Sequence, residues 1–169
     1  NSGMDEMTKV IAIAGAMGTG KSAAARALMA HLKRTVWLDG DWCWQQGRDW
    51  HFDEWTKAMA LDNICYLLQN FVKNPSFDRI VFSWVLHLPE TWAALQSALE
   101  GFPTQWNGVV LTCSEEELRR RILCRGGDEA EVERALQRDG ACRRLPFPQV
   151  DTTKLTIEEV ARSILDVTA

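Results

Sequence analysis

Eight consecutive residues, Gly15-Ala16-Met17-Gly18-Thr19-Gly20-Lys21-Ser22, have the types and spacing to grip a phosphate. They fit the pattern G-x-x-x-x-G-K-S/T at every fixed position. The glycines admit backbone angles that a side chain forbids, so successive N–H groups can turn inward around an anion. Lys21 brings a positive charge for β- and γ-phosphates, and Ser22 brings a hydroxyl suited to Mg²⁺. A helix that starts here adds its positive end to the same anion.

A second group with chemical capacity is Asp39-Gly40-Asp41. Phosphoryl transfer needs a metal ion and a group that orients or deprotonates the attacking hydroxyl. A carboxylate beside the γ-phosphate can do either. Asp39 can hold the metal while Asp41 takes the acceptor hydroxyl, or the two roles can be exchanged. The plain alternative is a turn with two solvated carboxylates. The apolar run that ends at Ser83-Trp84 carries no acidic residue, whereas motor ATPases and GTPases place a metal-binding Asp at that point. This moves the carboxylate work to Asp39 and Asp41.

Arg119, Arg120, Arg121, Arg125, Arg134, Arg138, Arg143 and Arg144 crowd one stretch. Arg121 and Arg125 are four apart and share a helix face. Guanidinium groups there can clamp phosphates or stack on a base. Two or three are expected to act, with the others paired to neighbouring glutamates on a solvated surface. Gly126-Gly127 reads as the hinge of a lid. The chain has eight tryptophans, and Trp42, Trp44, Trp50 and Trp55 fall in one short segment. They either line a pocket for a flat or apolar acceptor or cover the core beneath a long loop. His51 and His87 could contact substrate, but a lone histidine more often serves the structure.

These groups need a scaffold, and the hydrophobic pattern predicts one. Short β-branched and apolar runs predict strands over 9–14, 35–38, 79–85, 108–112 and 149–151. Helical spacing and start signals predict helices from Ser22, Asp53, Pro89, Ser114, Asp128 and Thr156. Strand alternating with helix implies a parallel sheet covered on both faces. In such a sheet ligands bind beyond the carboxyl ends of the strands, and the phosphate loop, Asp39–Asp41, Ser83–His87 and the segment after Thr112 all fall there.

Composition bounds the rest. The chain has 169 residues, is 46% hydrophobic and 25% charged, and carries a net charge of −4, ordinary for one globular domain. The acidic balance argues against nucleic acid as a partner. No apolar stretch approaches a membrane span, and the start lacks the pattern of a signal peptide. Asn1-Ser2-Gly3 ahead of Met4 reads as a cloning remnant. Five scattered cysteines without a C-x-x-C pair read as reduced thiols of a cytoplasmic protein.

The phosphate loop, Leu38-Asp39-Gly40-Asp41, the Arg-rich segment, and Val150-Asp151-Thr152 before a last helix together resemble the P-loop small-molecule kinases. That group includes adenylate kinase-like nucleotide kinases, shikimate kinase, adenylylsulfate kinase, and bacterial nucleoside or antibiotic phosphotransferases. The resemblance implies an α/β P-loop NTP hydrolase fold in one domain over 1–169. It would have a five-stranded parallel sheet in order 2-3-1-4-5 and a small helical lid near 119–144. The implied activity is ATP-dependent phosphoryl transfer, with Mg²⁺, to a hydroxyl of a nucleoside, nucleotide, other metabolite or antibiotic, by a monomer or homodimer. A nucleotide-binding regulatory module or slow NTPase is the rival reading.

Arg121-Ile122-Leu123-Cys124-Arg125 is similar to the lid entrance of nucleotide kinases, which implies that Arg121 packs on adenine and Arg125 reaches phosphate. Thr152 and Thr153 would touch the adenine edge. With the residue reading, the catalytic set is then Lys21, Asp39, Asp41, Arg121 and Arg125, and the metal ligands are Ser22 and Asp39. Asp41, Trp42, Trp44, Ser83 and Trp84 would line the acceptor site. Trp44 stands where adenylylsulfate kinase has an Arg, and Ser83-Trp84-Val85 replaces the glycine triplet of shikimate kinase. Losing that Arg and gaining Trp suggests an uncharged or less anionic acceptor, such as a nucleoside or aromatic alcohol.

Overall fold

Val10, Ala12 and Ala14 face one layer of helices, and Ile11 and Ile13 face the other. A strand covered on both faces has no place for a polar residue, which is why this run reads as unbroken apolar sequence. It is β1 (Thr8–Ala14) in a computed structural model that describes residues 7–169. The suggested remnant Asn1-Ser2-Gly3 lies outside the described residues.

β2 (Thr35–Asp39), β3 (Arg79–Ser83), β4 (Thr104–Thr112) and β5 (Gln149–Asp151) complete the sheet. Its order is β2-β3-β1-β4-β5, and every neighbouring pair is parallel. On one face lie α2 (Glu54–Lys73) and α3 (Pro89–Ala98), represented by Ile64, Leu68, Trp92 and Leu95. On the other lie α1 (Lys21–Met29) and α6 (Ile157–Val167), through Ala24, Leu28, Val160 and Ile164. No helix among the described residues is long and apolar enough to cross a membrane.

Two strand boundaries differ from the sequence expectation by more than one residue. β4 begins four residues before Gly108, because Thr104 to Asn107 pair in register with Thr8 to Ile11 despite polar Gln105 and Asn107. β3 stops at Ser83 because the chain then turns over the phosphate loop. There Val85 O accepts from the Gly15 N–H at 3.2 Å, and Leu86 takes a φ of 49°.

α4 (Glu115–Cys124) and α5 (Glu129–Arg143) follow β4. Ser114 and Asp128 cap them, each accepting from the backbone N–H three residues on. Between them, the Gly126 N–H donates to Leu123 O and the Gly127 N–H to Ile122 O, with Gly126 at φ 84°. That pair of bonds is a Schellman cap. The α4–α5 pair rests directly on the phosphate loop through a third core, which joins Ala16 and Cys113 to Leu118, Ile122, Val132 and Ala135.

Candidate active site

The phosphate loop folds as its glycines dictate. Gly18 and Gly20 have φ of 90° and 93°, where L side chains are strained. Gly15 is required by packing instead, since a Cβ there would meet Thr19 Oγ1 at 2.6 Å and Leu111 O at 2.9 Å. The buried Thr19 hydroxyl donates to Ala16 O at 2.8 Å, and Lys21 Nζ donates to the same carbonyl at 3.0 Å. Met17 is exposed on the outer rim of the turn. Burial lowers the Lys21 pKa from 10.5 to about 8, against the opposing pull of Asp41, Cys142 and Asp39; Arg125 adds a small push downward. An anion in the loop would reverse that shift.

Asp39 ends β2 and is only 6% exposed. Its Oδ2 accepts from the Ser22 hydroxyl at 2.8 Å, and its Oδ1 accepts from the Asp41 N–H at 3.0 Å. The second bond caps a 3-10 turn over Gly40–Trp44 and leaves the Asp41 carboxylate exposed at its start. Gly40 is held to glycine by the Trp84 ring, with which any Cβ would collide. So Ser22 and Asp39 present two hard oxygen donors side by side, while Asp41 faces outward. Mg²⁺ is held in such sites by one or two protein oxygens together with phosphate, and this pair fits it. Among the described residues there is no cluster of three or more metal-ligating side chains.

On the far side of the loop lies a cleft of about 680 Å³. Gly18 to Gly20, one face of α4 and the segment 152–157 line it. Arg121 forms its floor. Nη1 donates to Gly18 O at 3.2 Å and Thr152 Oγ1 at 3.1 Å, Nη2 to Thr152 O at 3.0 Å, and Nε to Glu117 at 3.1 Å. Hydrogen bonds from Arg120 and then Arg121 hold the Glu117 carboxyl down to about 2. Arg121 is thus a fixed plate joining α4, the loop and β5. Arg125 is exposed beside Gly18, its Nη2 only 3.3 Å from where a Gly18 Cβ would stand. Thr152 is buried within hydrogen-bonding reach of the Thr19 and Thr112 carbonyls. Thr153 Oγ1 accepts from the Ser114 N–H at 2.9 Å, so both threonines brace the cleft.

The tryptophans do not form one pocket. Trp42 packs on Trp37 at 4.7 Å, on the α1 side of the sheet. Trp44 meets Trp50 and Phe52 edge-on, at 5.7 and 5.6 Å. Trp55 is 88% exposed, apart from both. Ser83, expected at the acceptor, is 1% exposed, and its hydroxyl accepts from Trp37 Nε1 at 3.0 Å. It supports β2 rather than facing a ligand. Of the expected acceptor residues, Asp41 and Trp84 stand together at the mouth of the loop. Spacing alone gives Cys142 no place here, yet its thiol donates to Val85 O at 3.4 Å, just after β3. The Asp128 cap is the available signal, since helical spacing from it places Ala135 and Cys142 on one buried face.

A phosphate loop between β1 and α1, a five-stranded parallel sheet in order 2-3-1-4-5 and a helical pair over the loop define the P-loop kinase fold. Within that class the family described as "AAA domain" matches residues 11–144, and the chain belongs to it. Among curated proteins none matches the sequence. Similar solved structures include a gluconokinase from Sinorhizobium meliloti, 17% identical with a TM-score of 0.70 over 96% of this chain and 92% of that one. The tunicamycin resistance protein of Deinococcus radiodurans is 17% identical, with a TM-score of 0.68 over 94% of each chain. The shikimate kinase of Acinetobacter baumannii is 17% identical, with a TM-score of 0.62 over 95% and 92%.

Proposed function

We propose that this chain is an ATP-dependent phosphotransferase acting on a hydroxyl of a small molecule. The observation that carries the reading is the Ser22–Asp39 bond at 2.8 Å beside the loop, with Asp41 free at the next turn. Asp39 is the metal-side carboxylate, because it is buried and already shares a bond with Ser22. Asp41 is the acceptor-side carboxylate, because it is exposed and only its backbone is engaged. Bound Mg²⁺ would neutralise phosphate charge. Lys21 and Arg125 stabilise negative charge on the transferred group, and Asp41 takes the acceptor proton. Arg121 holds the base-side cleft in shape while adenine packs on it. Solved relatives of this fold carry kinase names, which supports transfer to a small acceptor. The five unpaired thiols agree with work in the cytoplasm.

The test is a screen of hydroxyl-bearing metabolites, nucleosides and antibiotics for acceptor-dependent ADP release. The expected result is one chemical class that stimulates release. With that acceptor, Asp41→Asn should lose about 10²-fold or more in kcat while ATP affinity changes little. Slow hydrolysis indifferent to every acceptor would favour the regulatory-module reading instead.

A further inference from the structure

The edge of the sheet opposite the phosphate loop carries two cations side by side. Lys9 of β1 and Arg79 of β3 are direct partners in the parallel register, so the strands hold them about 5 Å apart at the backbone. Alternation along each strand sends both toward the α1–α6 layer. Lys9 shares its face with Ile11 and Ile13, and Arg79 shares its face with Val81, all members of that layer's core. Like charges facing each other across two strands repel. Both residues are also half-buried, where an apolar pair would cost less.

Among the described residues neither cation has an ion-pair partner. Asp78 adjoins them, since its backbone carbonyl accepts from the Lys9 N–H at 3.1 Å. Its carboxylate is engaged elsewhere, accepting from Arg34 Nε at 3.0 Å. Lys9 and Arg79 instead line a cavity of about 190 Å³. Its walls are apolar, made by Ile11 of β1, Leu32 of the α1–β2 connection and Leu165 of α6. Thr168 and Ala169 close it, and the Thr168 hydroxyl already donates to Ile164 O at 2.7 Å. At the volume of one water each, about six non-hydrogen atoms fit there. The phosphate loop begins beyond the other end of β1, about 20 Å away.

We propose that Lys9 and Arg79 form a second ligand site, for a small organic acid with a carboxylate head and a short apolar tail. Arg79 offers a planar fork for the two carboxylate oxygens, and Lys9 adds a point charge beside it. The tail lies against Ile11, Leu32 and Leu165, out of water. The head relieves the repulsion between the two cations. A neutral compound of the same shape leaves both unpaired, and a larger acid exceeds the volume. The site goes beyond the phosphotransfer reading and does not depend on it.

Residue-resolved NMR of the full chain, labelled with nitrogen-15, tests this. Sodium butyrate should shift the Arg79 Nε–H signal and the Lys9 and Ile11 amides saturably, while sodium chloride at equal concentration should not. Sodium acetate, shorter by two methylenes, should bind about tenfold more weakly, and 1-butanol should not bind there. Arg79→Gln and Lys9→Gln should each need about tenfold more butyrate for the same Ile11 response. Spectral dispersion shows whether each variant is folded, and either one alone suffices for the comparison. Butyrate shifts that are absent, or confined to the loop amides of Gly18 and Gly20, overturn the proposal. So do equal responses to butyrate and to acetate or 1-butanol, or parent-like butyrate binding by a folded variant.

Discussion

Lys21 shows how a phosphate site is maintained at a cost to the free protein. Its ammonium is pressed into the loop, bonded to Ala16 O, with its pKa near 8. The unfolded chain holds that proton up to about pH 10.5. Below pH 8 both states are protonated and the folded state bears the full burial cost. Between pH 8 and 10.5 the folded state alone releases the proton, so stability from this group rises with pH. Lys21→Met should therefore stabilise the protein at pH 7 by about 1–2 kcal/mol, allowing for a side chain that is not fully enclosed. The gain should vanish near pH 10.5. Urea denaturation of both proteins at pH 7 and pH 10 checks it, and a less stable Lys21→Met protein at pH 7 would contradict it.

At the level of elements, α4 and α5 are tied to the loop rather than poised away from it. The Leu118–Ile122 face sits on Ala16, Arg121 is bonded to Gly18 and Thr152, and Gly126-Gly127 closes α4 in a Schellman cap. The pair that reads as a hinge in sequence thus has a capping task. Gly126→Ala should cost about 1 kcal/mol through backbone strain alone, since a Cβ there meets nothing within 4 Å. Nucleotide affinity should be unchanged. Urea denaturation and nucleotide titration separate this from a hinge role, in which activity would fall with little loss of stability. The elements themselves were readable because their signals are local. Asp53, Ser114, Asp128 and Thr156 each accept from the backbone N–H three residues ahead, as a helix start demands. The start of β4 was not readable, because its polar first half is held only by pairing with β1, nearly a hundred residues away in sequence.

For the whole molecule, the sheet order and the place of the loop followed from strand–helix alternation and one motif. The packing of Trp84 on Gly40 did not, because the two come from the ends of different strands, β3 and β2. Nothing in the spacing of Trp42, Trp44, Trp50 and Trp55 shows that a sheet edge will part them. What unites these parts is a loop at the carboxyl edge of the sheet with a nucleotide-sized cleft on one side and Asp41 on the other. The most direct test is calorimetric titration of the protein with Mg·AMPPNP. A single site with a dissociation constant of about 1 μM to 1 mM is predicted, with heat lost in a Lys21→Ala protein that remains folded. No binding of any nucleoside triphosphate analogue to the folded parent, or equal binding by Lys21→Ala, would contradict it.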